Sequence, residues 1–199
     1  MKLINKELTK ILDFTIELEK LKNVTRLNKT LDNRQENSAE HFWHAAFVAE
    51  SFSKFYPVEI DINKVLKMLL IHDVGEINVG DTFLYDELGK SSSFSRERSS
   101  IENTLLYFDE NLKTQYLKLW EEFETGNTEE AKFARIVDAI LPLINHLVTG
   151  DVAVTESRLT KSQVISKKQF IIEDSEPLWD LASYVIDKSV EKGLYEDKL

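Results

Sequence analysis

Two histidines and two aspartates in this chain are of the types that bind a divalent cation, and their spacing turns them inward. The stretch LLIHDVGEINVGD, residues 69–81, drives His72 and Asp73 into the end of an apolar run. His72 follows Leu69 by three residues and Val65 by seven, and Asp73 stands in the same relation to Leu70 and Leu66. At helical periodicity both therefore continue a buried face. Burying either group unpaired costs several kcal/mol, so an ion pair, a solvent channel or a metal must compensate.

His41 opens another apolar stripe, just ahead of Phe42 and Ala45, and Asp138 falls on the line Ala131, Ala134, Leu141. Pro142 follows Asp138 by four residues and lacks the N–H that would bond its carbonyl, which predicts a kink or a loosened turn there. Two imidazoles and two carboxylates on three helices, with no thiolate, suit one divalent ion such as Mn²⁺, Co²⁺, Fe²⁺, Ni²⁺, Zn²⁺ or Mg²⁺. Taken singly, each residue has a plainer reading: a core histidine satisfied by neighbours, or an aspartate that caps a helix or pairs with arginine. The order His, then His-Asp about thirty residues on, then Asp on a later helix is what favours the ion. His44 and His146 read as core histidines, with His44 close enough to His41 to line the same site.

The elements that must carry these groups are nearly all helical. Apolar steps of three and four predict helices over 4–23, 38–57, 62–76, 96–109, 111–125, 128–149, 161–174 and 177–192. Ser38 is the expected N-cap of the second, and Gly75 loosens the end of the third. Residues 77–100, with the run GKSSSFSRERSS, read as a loop whose serine-rich part, 89–100, suggests a variable lid. QFIIED is the sole short strand candidate. No internal repeat or interdomain linker interrupts the 199 residues, so the expectation is one all-α domain.

Composition excludes several classes. A hydrophobic fraction of 42% with 30% charged residues is ordinary for a soluble domain. The net charge of −10 argues against a nucleic-acid partner, which requires clustered Lys and Arg. No segment reaches the roughly 20 apolar residues that span a bilayer, and Met1–Lys20 lacks the apolar core of a signal peptide. The absence of cysteine fits a reducing cytoplasm and rules out disulfides and thiolate ligands. An anionic ligand must be met by a local positive group.

The segments RQENSAEHFWHAAFVAE, LIHDVGEINVGDTFLYDE and LWEEFETGNTEEAKFARIVDAILPLI resemble the HD-domain metal-dependent phosphohydrolases, and within them the 5′-deoxynucleotidase-like branch, over most of residues 10–190. The resemblance implies a bundle of about seven to nine helices, with a metal-binding core near 24–150 and C-terminal helices at 160–193 packing on it. It implies His41, His72, Asp73 and Asp138 as ligands of one divalent ion. Glu76 and Asp81 match the acidic residues that position or deprotonate water, and Glu76 lies one turn beyond His72. Arg26, fifteen residues before His41, matches a phosphate-clamping arginine, for which a planar guanidinium is suited. Arg34 is a second cationic candidate and Lys132 a third, and Glu122, in LWEEFE, matches a segment of the family; helix surface explains Lys132 and Glu122 equally well. The implied substrate is a nucleoside 5′-monophosphate, deoxy forms preferred, and the implied assembly a homodimer. Leu27 departs from the aromatic residue expected beside the clamp, and an apolar contact rejects an extra hydroxyl by about 10²-fold at best. The rival readings are a nucleotide-sensing module that keeps the metal, and a phosphohydrolase of another ester, including triphosphates or cyclic nucleotides.

Overall fold

The computed structural model describes residues 5–150 and 158–197; residue 4, the expected start of the first helix, lies outside them. Helix α1 (Lys6–Glu19) is capped by Asn5 and tightens into a 3₁₀ turn, Lys20–Asn23. A small antiparallel hairpin follows, β1 (Thr25–Lys29) against β2 (Gln35–Asn37), pairing Thr25 with Asn37 and Lys29 with Gln35. Its strands, TRLNK and QEN, are polar and short, so neither shows the apolar alternation by which strands are recognised. Asn33, at φ 68°, makes the left-handed turn between them.

Helix α2 (Ser38–Ser53) starts at a reciprocal cap: the Asn37 side chain accepts from the Glu40 N–H while Glu40 accepts from the Asn37 N–H. Asn37, not Ser38, is therefore the N-cap, which frees the Ser38 hydroxyl for another partner. Helix α3 (Ile62–Ile71), capped by Asp61, ends earlier than expected and winds into a 3₁₀ turn, His72–Asn78.

The predicted loop over 77–100 is instead mostly helix α4 (Glu87–Thr104). Asp86 caps it by accepting from the Gly89 N–H at 3.0 Å, and Ser91 and Ser99 donate back to the carbonyls of Leu88 and Ser95. The buried positions Ser93, Ser100 and Thr104 are small because α4 lies close against the 72–78 turn. At the contact, a Cβ on Gly75 would stand 3.0 Å from both Cβ and the carbonyl oxygen of Glu97. Ser93 and Ser100 are packing residues, which the loop reading of a polar run overlooked.

After a 3₁₀ turn (Leu105–Tyr107) come α5 (Glu110–Thr125), α6 (Glu129–Thr149), α7 (Lys161–Lys168), α8 (Phe170–Asp174) and α9 (Glu176–Glu191). QFIIED is thus helical, and α6 runs on through Pro142. The main core gathers Ala45 and Ala49 of α2, Met68 and Leu69 of α3, Phe133, Ile136 and Ile140 of α6, and Leu178 and Ile186 of α9. Each large side chain of this set contributes about 1.5–3 kcal/mol by burial. A second cluster around Trp120, Ile101 and Leu105 supports Ile71 and Val74, and so fixes the 72–78 turn from behind. Among the described residues no helix is long and apolar enough to cross a membrane.

Candidate metal centre

Where α3 gives way to the 3₁₀ turn, the His72 ring is oriented from three sides. Its Nδ1 lies 2.9 Å from the Leu69 carbonyl, which can only accept, so Nδ1 carries a proton and donates it there. The Trp120 indole donates to the His72 carbonyl at 3.0 Å, and the Phe123 ring lies 4.8 Å from the imidazole. Nε2 is buried and has no hydrogen-bond partner among the described residues, lying 3.1 Å from Asp73 Oδ1 and 3.6 Å from Asp138 Oδ1. From α2, His41 brings its own Nε2 to 2.8 Å from the same Asp138 oxygen. One ligand atom each from His41, His72 and Asp73 falls within a 4.8 Å cluster, all three residues buried.

Such convergence calls for positive charge. Burial disfavours a charged His72, yet Asp73 and Asp138 outweigh it and lift the imidazole to about 9. Burial likewise favours a neutral Asp138, but its contacts with His41 and His72 hold it well below the usual carboxylate range. A proton or a divalent ion at His72 Nε2 answers the same field, and the orphaned nitrogen with its oxygen neighbours fits the ion. His41 Nδ1 faces Glu36 at 3.8 Å, the kind of outer carboxylate that orients a ligating histidine.

In a 3₁₀ turn residues i and i+3 eclipse, so Glu76 stands on the same face as Asp73. Its carboxylate is 6% exposed and accepts from the Ser38 hydroxyl at 2.7 Å. Burial, then the charges of Asp73 and Asp81, push it up to about 9 against the opposing pull of Arg26 and Ser38. Asp81 follows Gly80, whose φ of 77° turns the chain back toward the same cavity. Strand β1 supplies Arg26, whose Nη1 donates to Asp73 Oδ2 at 2.9 Å while its Nε lies 3.6 Å from Glu36. Although burial opposes its charge, the carboxylates of Asp73, Asp81, Asp138 and Glu76 keep it firmly protonated.

Arg26, Asp73, Glu76, Asp81 and Asp138 open on one cavity, walled by Leu27, Asn28, Phe83, Tyr85, Lys168 and Tyr195 among others. Phe83 and Tyr85, with ring centroids 5.3 Å apart and planes tilted by 52°, supply an aromatic wall against which a planar ring could pack.

The structure gathers His41, His72, Asp73, Asp138, Glu76, Asp81 and Arg26 in one place, with Leu27 beside them. Arg34 lies elsewhere: its half-exposed guanidinium grips Glu40 at 2.6 and 2.8 Å, fixing the start of α2. Glu122 pairs with Lys64 and Thr128, and Lys132 with Glu129 and Asp174, all away from the cavity. His44 is exposed beside Trp43 rather than core. His146 is buried, with Nδ1 2.9 Å from the Tyr195 hydroxyl.

Sequence reasoning passed over Lys168 and Glu124. Each had a signal: Lys168 follows the buried Val164 by four residues, and Glu124 follows the buried Trp120 by four. Glu124 borders a second cavity that shares Asp73, Glu76 and Asp138 with the first, and burial together with Glu97 pushes its carboxyl up to about 7.

A mainly helical scaffold that gathers the buried His41 of α2, His72 and Asp73 of the 72–78 turn and the partly exposed Asp138 of α6 defines a protein with a centre fit for a divalent metal. The chain belongs to the HD domain family, whose profile it matches over residues 18–179. It is 28% identical over 138 residues to the 5′-deoxynucleotidase HDDC2 of Danio rerio, covering 67% of this chain and 66% of that protein. The human 5′-deoxynucleotidase HDDC2 is 28% identical over 130 residues, 64% of this chain and 62% of that one. The chain thus spans somewhat less than two thirds of the length of these curated relatives. A crystal structure described as a predicted metal-dependent phosphohydrolase, from Magnetospirillum magnetotacticum MS-1, superposes with a TM-score of 0.87 at 30% identity, over 97% of this chain and all (100%) of that one. An HD-domain phosphohydrolase from Listeria innocua, at 17% identity and TM-score 0.62, over 91% of this chain and 86% of that one, shares the fold.

Proposed function

We propose that this protein is a divalent-metal-dependent phosphomonoesterase that releases phosphate from nucleoside 5′-monophosphates, 2′-deoxy forms preferred. The observation that carries the reading is the buried His72 Nε2, without a hydrogen bond among the described residues and facing Asp73 and Asp138, with Glu76 one turn beyond Asp73 on that residue's face. The names of the curated relatives, 5′-deoxynucleotidases, support the substrate class.

In this reading His41, His72, Asp73 and Asp138 hold one ion. When bound, such an ion supplies Lewis-acid charge to a phosphoryl oxygen and makes a water more acidic. Arg26 orients the phosphate through the N–H groups that Asp73 does not occupy, and steadies charge building on the phosphoryl oxygens. Glu76, buried and held by Ser38, takes the proton of the attacking water, and Asp81 steers that water from the cavity side. Phe83 and Tyr85 pack against the base, and Leu27 borders the sugar.

The test is a phosphate-release screen of ribo- and deoxyribonucleoside 5′-monophosphates with Mn²⁺, Co²⁺ and Mg²⁺. Turnover of deoxy substrates, with ribo forms slower by no more than about 10²-fold, is the expected result, because Leu27 offers only an apolar contact. Metal-loaded protein that retains nucleotide but forms no product would point instead to a sensing module.

A further inference from the structure

Lys168 is a cation that the fold does not need. It closes α7, is 6% exposed, and lines both cavities that meet at Asp73 and Asp138. Elsewhere on the C-terminal helices each lysine finds a carboxylate: Lys161 pairs with Asp187, Lys167 with Glu87 and Lys188 with Glu191. Among the described residues the Lys168 ammonium has no hydrogen-bond or ion-pair partner. Burial pushes its amine down to about 8, with Asp138 opposing and Arg26 and Lys90 adding to the depression. An unpaired buried ammonium is costly to the folded state, and an anion entering the cavity would offset that cost.

The other cations of the cavity are differently placed. Arg26 shares its guanidinium with Asp73 and lies near Glu36, and Lys90 is exposed at the cavity edge. The carboxylates of Asp73, Asp81 and Asp138 repel an entering dianion. Lys168 is the buried positive group in this wall with no carboxylate tied to it, and it comes from a helix that supplies none of the proposed ligands.

We propose that Lys168 is a substrate-contacting residue whose ammonium donates to an oxygen of the phosphoryl group, as a second cation beside Arg26. This rests on the phosphomonoesterase reading. An ammonium is a compact point donor, suited to an oxygen whose position shifts as the phosphoryl group is transferred, while the planar guanidinium holds the two that stay.

The test uses Mn²⁺-loaded wild-type protein, Lys168→Met, and Lys168→Gln in case the methionine variant does not fold. kcat/KM on a deoxynucleoside 5′-monophosphate and the inhibition constant of inorganic phosphate are expected to worsen together by about 10- to 100-fold, the value of a hydrogen bond to a charged group. Metal content should stay unchanged, and the melting temperature of Lys168→Met should hold or rise, since the change removes an unpaired buried charge. Values within about twofold of wild type for both constants would overturn the proposal. If the wild type turns over no nucleotide, the phosphomonoesterase reading falls, and calorimetric titration of inorganic phosphate still decides Lys168. Weaker binding by the variants than by the wild type upholds the contact; equal binding, or none to the wild type, overturns it.

Discussion

On the first turn of α3, Lys64 reaches Glu122 at 2.5 Å and Glu130 at 3.4 Å, while the Thr128 hydroxyl donates to the same Glu122 oxygen and the Asp61 N–H to the other oxygen of Glu130. At the far end of the same helix, His72 and Asp73 enter a cluster where carboxylates face one another and a ring nitrogen has no donor to meet. Both regions are assemblies of charge at the edge of the main core. In the first every charge is answered by a neighbour at the protein surface, and the result is a fastening between α3, α5 and α6. In the second the charges outnumber their partners, and the surplus is negative around one point. What separates a structural ion cluster from a reactive one is therefore the unanswered charge, more than its amount.

The largest expected effect is that of Asp73→Ala. It removes a proposed ligand and the partner of Arg26 together, so metal content by elemental analysis and phosphate release should both fall to background, with helix content checked by circular dichroism. Retained metal would mean that the surplus charge at this end of α3 serves something else. Glu76→Gln, next in size, keeps the ligands and their geometry but cannot take a proton. Metal should stay bound while turnover drops by about 10²–10⁴-fold, measured at saturating nucleotide.

The two ends of α3 should also differ in their response to pH. Stripped of divalent ions, the protein has His72 raised from 6.5 to about 9 and Glu76 raised from 4.5 to about 9. The folded state then binds more protons than the unfolded chain, so stability is lost as pH rises through this window, from Glu76 above about 4.5 and from His72 above about 6.5. With a saturating divalent ion the slope should reverse, because ligands must be deprotonated to bind. Melting temperatures from pH 6 to pH 9, with and without chelator, measure both slopes; parallel slopes would undo the assignment of His72. The smallest effect belongs to Lys64→Met, which should change unfolding free energy by about 1 kcal/mol or less and leave phosphate release untouched. A loss of activity there would break the contrast between the two clusters.

The inward turn of His72 and Asp73 was legible because the apolar stripe ahead of them is long and regular, and the same held for Asp138 on α6. Helix α4 was not, because its contact is made by small polar residues whose value depends on how near Gly75 lets the turn approach. The β1–β2 hairpin escaped for a related reason: its strands are held by backbone pairing and by the docking of Arg26, not by an apolar face. Arg34 and Glu122 looked like site residues by type and neighbourhood in the chain, but local partners claim both. Lys168 carried the opposite signal, a lysine on a buried line, and charge alone gave no reason to look there.

The 72–78 turn has a consequence for how this sequence can vary. A 3₁₀ winding advances by a third of a turn per residue, so Asp73 and Glu76 share a face only while two residues lie between them. Val74 packs into the second cluster and Gly75 lies beneath Glu97, so the intervening pair is held in pitch from both sides. One inserted or deleted residue would swing Glu76 by about 120° and part it from Ser38, whatever its identity. The segment works as a ratchet tooth: point changes at Val74 adjust the fit, whereas a change in length disengages it.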